Sequence, residues 1–317
     1  MRTKKLNKAV VKRKAMKAIW SAVRWLMIIG ICYVILYPLF VKISVAFMSK
    51  SDMYDMTVKW VPRTITLDNF KEVLERIDYV KYFLTTLGVS ALATFVQVSS
   101  CTLAGYGFAR FRFRGNKILF ILVIVTLVVP QQTYMVTTYM QYRYFDFYGI
   151  LGLFGISKTT LIGTVWPVVL MSMGCQATKN GLFIYILRQF LSRLPVELEE
   201  AAFSDGAGVF KTFFKIMLPN AVPVLVTVSV LSFVWTWNDL YTASTYMSSM
   251  PLFSTLLNNL SFQISRSSGG MSVIDTVKLS MLTNAGALLI IAPLLIMFLL
   301  AQKFFVQGVE RTGLTGM

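Results

Sequence analysis

Pro195 to Pro223 reads PVELEEAAFSDGAGVFKTFFKIMLPNAVP, and it lies between two long apolar segments. Its start is polar and charged, which makes it a loop on one face of a membrane rather than a span. Glu197 to Ala202 are good helix formers, and Pro195 just ahead of them is a residue that opens helices. Gly206 and Gly208 then interrupt the run. Val209 to Leu218 carries Phe210, Phe213, Phe214 and Met217 at helical spacing, and Pro219 ends it. The stretch is expected to form a short helix, a tight glycine turn and a second short helix along the membrane surface. Small Ala201 and Ala202 beside acidic Glu199 and Glu200 suit a knob that fits a groove on a partner.

The composition agrees. Of 317 residues, 56% are hydrophobic and 14% charged, and the mean hydropathy is +0.64. That is too apolar for an ordinary soluble domain. A net charge of +17 would suit nucleic acid, but the positive charges cluster at the ends of apolar spans. This is the pattern of a multi-span protein held in membrane lipid by its cytoplasmic loops, with no nucleic acid among its partners. Cys32, Cys101 and Cys175 all fall in apolar segments and read as packing residues. There is no histidine, so the commonest acid–base residue and metal ligand is missing.

The chain divides as follows. Residues 1–24 are a basic cytoplasmic segment, and the apolar run 25–48 exceeds the ~7–15 residues of a signal core. It reads as a retained first span, with Lys42 reaching toward the outer interface. Residues 49–78 are then external, and 79–304 hold spans two to six together with the loop 195–223. The second span, Val80 to Phe108, is rich in Ser, Thr and Gln97, which serve either interhelical hydrogen bonds or a pore lining. Arg110, Arg112, Arg114 and Lys117 form a short cytoplasmic loop suited to lipid headgroups. The third span is Ile118 to about Met135, and the fourth is Thr160 to Leu187. Between them Tyr139, Tyr142, Tyr144, Phe145, Phe147 and Tyr148 read as an interface belt or a surface for sugar rings. The fifth is Pro223 to about Tyr241, residues 242–275 are external, and the sixth is Val277 to Phe304 with Pro293 as a kink. Residues 305–317 are a cytoplasmic tail. The expected fold is an all-α integral membrane protein of six spans with both ends cytoplasmic.

Two places stand out within the spans. Gly174 to Gly181 is a polar, glycine-bounded insert at membrane depth that contains Gln176, Lys179 and Asn180. Lipid would penalise these groups by several kcal/mol unless they face protein or water. The insert therefore marks a broken helix along a solute path, or a lysine that pairs with a carboxylate on a partner. Trp235-Thr236-Trp237-Asn238-Asp239 ends the fifth span, with Trp237, Asn238 and Asp239 at its edge. A ring and a carboxylate suit a hydroxyl-rich solute, and the same residues suit an interface belt.

Glu200-Ala201-Ala202, Asp205-Gly206-Ala207, Ile216 to Pro219 and Pro223 resemble, in type and spacing, the EAA-type loop of permease subunits of ATP-binding-cassette importers. Trp60-Val61-Pro62, Thr66 to Phe70, Gly105 to Arg110 with Phe113-Arg114-Gly115, Trp235 to Asp239, and Phe305 to Gly308 with Thr315-Gly316 resemble the carbohydrate, maltose-type branch of that family. The resemblance covers nearly the whole chain. It implies that the loop docks a coupling helix into a nucleotide-binding subunit through Glu199, Glu200, Ala201, Ala202, Asp205, Gly206, Ala207, Phe210, Leu218 and Pro219. It also implies a second permease subunit in a heterodimer, two nucleotide-binding subunits, an extracellular binding protein and a bacterial plasma membrane.

The chain contains no G-x-x-x-x-G-K-[ST] phosphate loop, so ATP belongs to a partner and no cofactor is expected here. No catalytic set or metal-ligand spacing stands out, which disfavours a membrane enzyme. An ion-driven carrier would place carboxylates at mid-membrane, and the spans hold almost none.

Overall fold

A computed structural model describes residues 2–55, 57–58, 61–146, 159–267 and 276–313. The expectations for Trp60, Phe147, Tyr148 and Thr315-Gly316 lie outside the described residues. Within them the regular structure is helical, with two isolated β-bridges and no strand.

The helices follow one another as α1 (Arg2–Phe47), α2 (Lys50–Tyr54), α3 (Asp68–Arg76), α4 (Tyr79–Arg110), α5 (Asn116–Val125) and α6 (Met135–Arg143). Then come α7 (Trp166–Met173), α8 (Asn180–Leu191), α9 (Glu197–Ser204), α10 (Val209–Asn220, with a π turn at Phe213–Met217) and α11 (Val222–Asn238). The last are α12 (Leu240–Tyr246), α13 (Phe253–Asn258), α14 (Leu260–Ser267) and α15 (Thr276–Gly313).

Among the described residues, three helical stretches are long and apolar enough to cross a membrane: Met16–Phe47, Tyr79–Arg110 and Thr276–Leu300. A fourth candidate is the pair α10 and α11, bent by 77°. Two expected spans are not continuous helices. In Ile118–Met135 a 3-10 turn at Gln131–Thr133 precedes α6, and the α-helix stops at Val125. There the Thr126 hydroxyl donates back to the Val123 carbonyl at 2.6 Å, and Pro130 disfavours helix at the residue before it. Thr160–Leu187 is split into α7 and α8 by the polar insert. The stretch 242–267, within the segment expected to be external, is mostly helical, with Tyr246, Met247, Leu252 and Phe253 buried. Tyr142 is also buried, edge-on to Tyr246 at 6.0 Å, and is not part of an exposed belt.

The chain forms two units. One comprises Met1–Ile77 and Ser261–Leu289. In it the basic N-terminal segment and the first span are a single rod, α1, whose apolar residues such as Trp25, Leu26 and Val34 are exposed for lipid or protein to cover. Amphipathic α3 is fixed to the end of α1 by the Asn69 amide, which donates to the Ala46 and Met48 carbonyls at 2.9 Å each. Lys278 reaches Glu72 at 2.8 Å, and Lys42 reaches the Asn284 amide oxygen at 3.5 Å.

The other unit comprises Asp78–Leu260 and Ile290–Met317. Its centre is α4, which packs along α7, α8 and α11. Gly105 permits a close approach of α4 to α8, since a Cβ there would stand 3.0 Å from Leu187 Cβ and 3.2 Å from the Arg188 nitrogen. Gly181 does the same for α8 against α5, where a Cβ would meet the Val123 carbonyl at 2.8 Å. Cys101, Tyr106, Phe183, Leu187, Leu191, Met217 and Val228 share one core. Burying each large side chain of this kind stabilises the fold by roughly 1.5–3 kcal/mol in water, and less where lipid is the alternative.

Candidate functional site

Two constellations hold the residues singled out from the sequence. The first is the loop. The expected helix–turn–helix is present as α9, a turn at Gly206 and α10. Gly206 has φ +77, in the left-handed region glycine favours, whereas Gly208 at φ −75 needs no glycine. The turn is closed by the Ala207 N–H donating to the Ala202 carbonyl at 2.9 Å.

The loop has two faces. Glu200, Ala201, Asp205, Gly206 and Pro219 are exposed, and Ala207 and Leu218 are half-buried. Phe210 is 77% exposed, with Phe203 and Phe214 beside it in the sequence pattern and also open. Ala202 and Glu199 turn inward. The Tyr106 hydroxyl donates to Glu199 Oε1 at 2.8 Å, and Arg110 Nε stands 3.3 Å from Glu199 Oε2. Both charged side chains are 8% exposed, and Arg110 Nη2 also donates to the Leu194 carbonyl at 2.7 Å. Arg110 is thus committed to the loop and not to lipid headgroups. The pair is held by charge attraction and by the bonds from Tyr106 to Glu199 and from Arg110 to Leu194, although Arg110 Nε itself makes no hydrogen bond, and removing one partner strands the other.

The second constellation surrounds the break between α7 and α8. Cys175 (φ 54) and Lys179 (φ 67) both sit in the left-handed region, so the break is a strained turn. Gln97 of α4 fastens it. Its amide nitrogen donates to the Thr178 carbonyl at 2.8 Å and to Asn180 Oδ1, and its oxygen accepts from Ser232 at 2.6 Å. The Gln131 amide donates to the Thr178 hydroxyl, which in turn lies 3.5 Å from Asp239. Asp239 caps α12, accepting from the Thr242 N–H at 3.0 Å and its hydroxyl at 2.6 Å. Lys179 stands with Nζ 5.8 Å from the centre of the Trp235 ring, and Gln176 is exposed.

Gln97, Gln131, Thr178, Trp235, Asp239 and Thr242 line a cavity of about 40 Å³, room for water but not for a sugar in this conformation. Trp237 and Asn238 are elsewhere. Trp237 is buried among Phe83, Phe233 and Phe253, and Asn238 is exposed and bonded to the Val234 carbonyl. The structure therefore brings Thr178, but neither Lys179 nor Asn180, to Asp239; it sets Lys179 over Trp235 and Asn180 on Gln97, and leaves Trp237 and Asn238 apart. Tyr106 and Arg110 were not among the candidate site residues. Tyr106 and Arg110 fall in the quoted Gly105–Arg110 motif, but nothing in the sequence said that they point at the loop. Among the described residues no cluster of His, Cys, Asp and Glu is arranged to hold a metal ion.

An all-helical set of described elements, with three stretches long and apolar enough to cross a membrane and a surface loop with an open aromatic face, fits a multi-pass membrane component. The chain belongs to the family of binding-protein-dependent transport system inner membrane components, whose pattern matches residues 102–311. It is 34% identical over 257 residues to the osmoprotective compounds uptake permease protein GgtD of Synechocystis, spanning 80% of this chain and 77% of that one. To the alpha-glucoside transport system permease protein AglG of Rhizobium meliloti it is 32% identical, over 80% of this chain and 62% of that one. To the galactooligosaccharides transport system permease protein GanQ of Bacillus subtilis it is 24% identical, over 92% and 94%. The fold is similar to a chain in the crystal structure of a bacterial ATP-binding-cassette transporter for import of the acidic polysaccharide alginate, with TM-score 0.71 at 18% identity, covering 90% and 96%.

Proposed function

We propose that this chain is a permease subunit of an ATP-driven importer of a carbohydrate, and that α9 and α10 couple it to separate nucleotide-binding subunits. The observation that carries this is the division of the loop, with Glu199 and Ala202 turned inward and Glu200, Ala201 and Phe210 turned out. An open phenylalanine beside small and acidic residues is a surface to be covered by protein. The carbohydrate class is supported by relatives named for alpha-glucosides and galactooligosaccharides.

In this reading six crossings are made by α1, α4, α5 with the segment that follows it, the broken pair α7–α8, α11 and α15. Both ends are cytoplasmic, on the side of the basic residues Arg112, Arg114, Lys117, Lys211 and Lys215. A second, similar permease completes a heterodimer, and an extracellular binding protein delivers the solute. The solute path runs past Gln176, Lys179, Asn180 and Asp239, which a different conformation must open. Trp237 and Asn238 border a separate hollow of about 420 Å³ with Ser254 and Asn258.

The test is a cysteine placed at Gly206 or Ala207 and cross-linked to the co-expressed nucleotide-binding subunit, with and without ATP. A cross-link whose yield changes with nucleotide is expected. Persistent solute uptake with no cross-link to any ATPase would overturn the reading.

A further inference from the structure

The loop is joined to the helix break by one rod. We infer that Glu199, Tyr106 and Arg110 form an internal clamp that makes α4 follow the loop, so that loop movement is delivered to Gln97 and from there to the break between α7 and α8. The inference rests on the importer reading and adds to it the residues that carry motion inside this chain.

Three observations support it. The clamp is buried and two-sided. Glu199 uses one oxygen for the Tyr106 hydroxyl at 2.8 Å and presents the other to Arg110 at 3.3 Å. Arg110 also holds the Leu194 carbonyl at 2.7 Å, so the segment entering the loop is fixed as well as the loop helix itself. Next, the far end of the rod holds the break. Gln97 lies on the same continuous helix as Arg110, about 20 Å along its axis at 1.5 Å per residue, and it bonds the Thr178 carbonyl and the Asn180 side chain. Finally, the rod sits tightly on α8. Gly105 brings the backbones so close that a Cβ there would stand 3.2 Å from the Arg188 nitrogen. Packed helices at such contact move as bodies, not as deformable material. A pull on Glu199 thus reaches Thr178 without passing through the exposed face of the loop. Glu199 and Arg110 are positioning residues, since neither borders the cavity beside Asp239.

The experiment uses the whole transporter, reconstituted in vesicles with its partner permease, nucleotide-binding subunits and binding protein, and with maltose and an alpha-glucoside offered as probes. Solute moved per ATP hydrolysed is compared for wild type, Glu199→Gln, Arg110→Gln and Tyr106→Phe, alongside co-purification of the nucleotide-binding subunits. The expectation is that the subunits still co-purify and ATP is still hydrolysed, while solute moved per ATP falls about five- to tenfold in the charge variants, the size of an ordinary coupling between sites. Tyr106→Phe falls less, and Glu199→Asp recovers part of the loss. Unchanged solute per ATP in all three variants overturns the clamp. So does failure of both charge variants to assemble when Tyr106→Phe, which removes one hydroxyl, couples fully. Uptake by wild type that needs no ATP sinks the importer reading instead and is recognised before any variant is made.

Discussion

Gly105 and Leu187 touch so closely that the glycine has no room for a side chain: a Cβ would lie 3.0 Å from Leu187 Cβ. The contact sets the spacing between α4 and α8, and with it the reach of Gln97 to the broken turn. Gly105→Val is therefore expected to destabilise the protein by about 1–3 kcal/mol through overpacking. It should also lower uptake. Gly107→Val, where an added Cβ meets nothing within 4 Å, is the control. Thermal unfolding of the two variants in detergent checks the difference, and equal midpoints would contradict the packing account.

Gln97→Leu removes the partner of the Ser232 hydroxyl, the Thr178 carbonyl and the Asn180 side chain at once. Buried polar groups left without partners cost about 1–3 kcal/mol each, though water entering the nearby cavity offsets part of it. The expected outcome is a lower unfolding midpoint with faster proteolysis between Gly174 and Asn180, read by mass spectrometry of the fragments.

The turn at Gly206 makes a sharper test, because its neighbour supplies the control. Gly206→Ala places a side chain at φ +77 and is expected to cost about 1–2 kcal/mol of local stability. Gly208→Ala, at φ −75 with open space around it, is expected to cost nothing of that kind. Hydrogen exchange at the Ala207 amide should rise in the first variant and stay level in the second.

Acid should loosen α3 from α15. Burial works against the Glu72 carboxylate, but the hydrogen bonds and charges of Lys278 and Arg76 hold it below the usual carboxylate range. A carboxyl depressed in the folded state adds stability above its unfolded value, near 4.3, and loses it as pH falls through the lower folded value. The pair is partly open to solvent, so its share is about 1 kcal/mol or less. Glu72→Gln should remove the acid dependence of the local opening measured by hydrogen exchange between pH 6 and 3. An unchanged dependence would assign it to another group.

Much of this was legible in the sequence, and the losses have one cause. Pattern and charge locate a residue along a helix and on a side of the membrane, but not around the helix axis. Pro195, Gly206 and Pro219 were enough to place the loop, and Gly174 to Gly181 enough to place the break. Arg110 was grouped with Arg112 and Arg114 because all three are basic and expected on the cytoplasmic side, yet only the structure turns it toward Glu199. Trp235 and Trp237 are two residues apart, about 200° around a helix. Either could have faced the break, and the structure gives that place to Trp235 and buries Trp237 among phenylalanines. The third span ended early for a reason readable only in hindsight, a Thr126 hydroxyl that competes for the helix's own carbonyl.

The 77° bend between Val209–Asn220 and Val222–Asn238 acts as a bell crank. Only the smaller part of a force applied along the first helix lies along the second, so it drives α11 poorly as a piston. Most of it swings that helix about the corner at Ala221, whose side chain is fully buried and leaves the corner little room to unfold. In the proposed importer, sideways travel at the loop would therefore arrive at Trp235 and Asp239 as tilt, the kind of displacement that parts two packed helices without exposing either backbone.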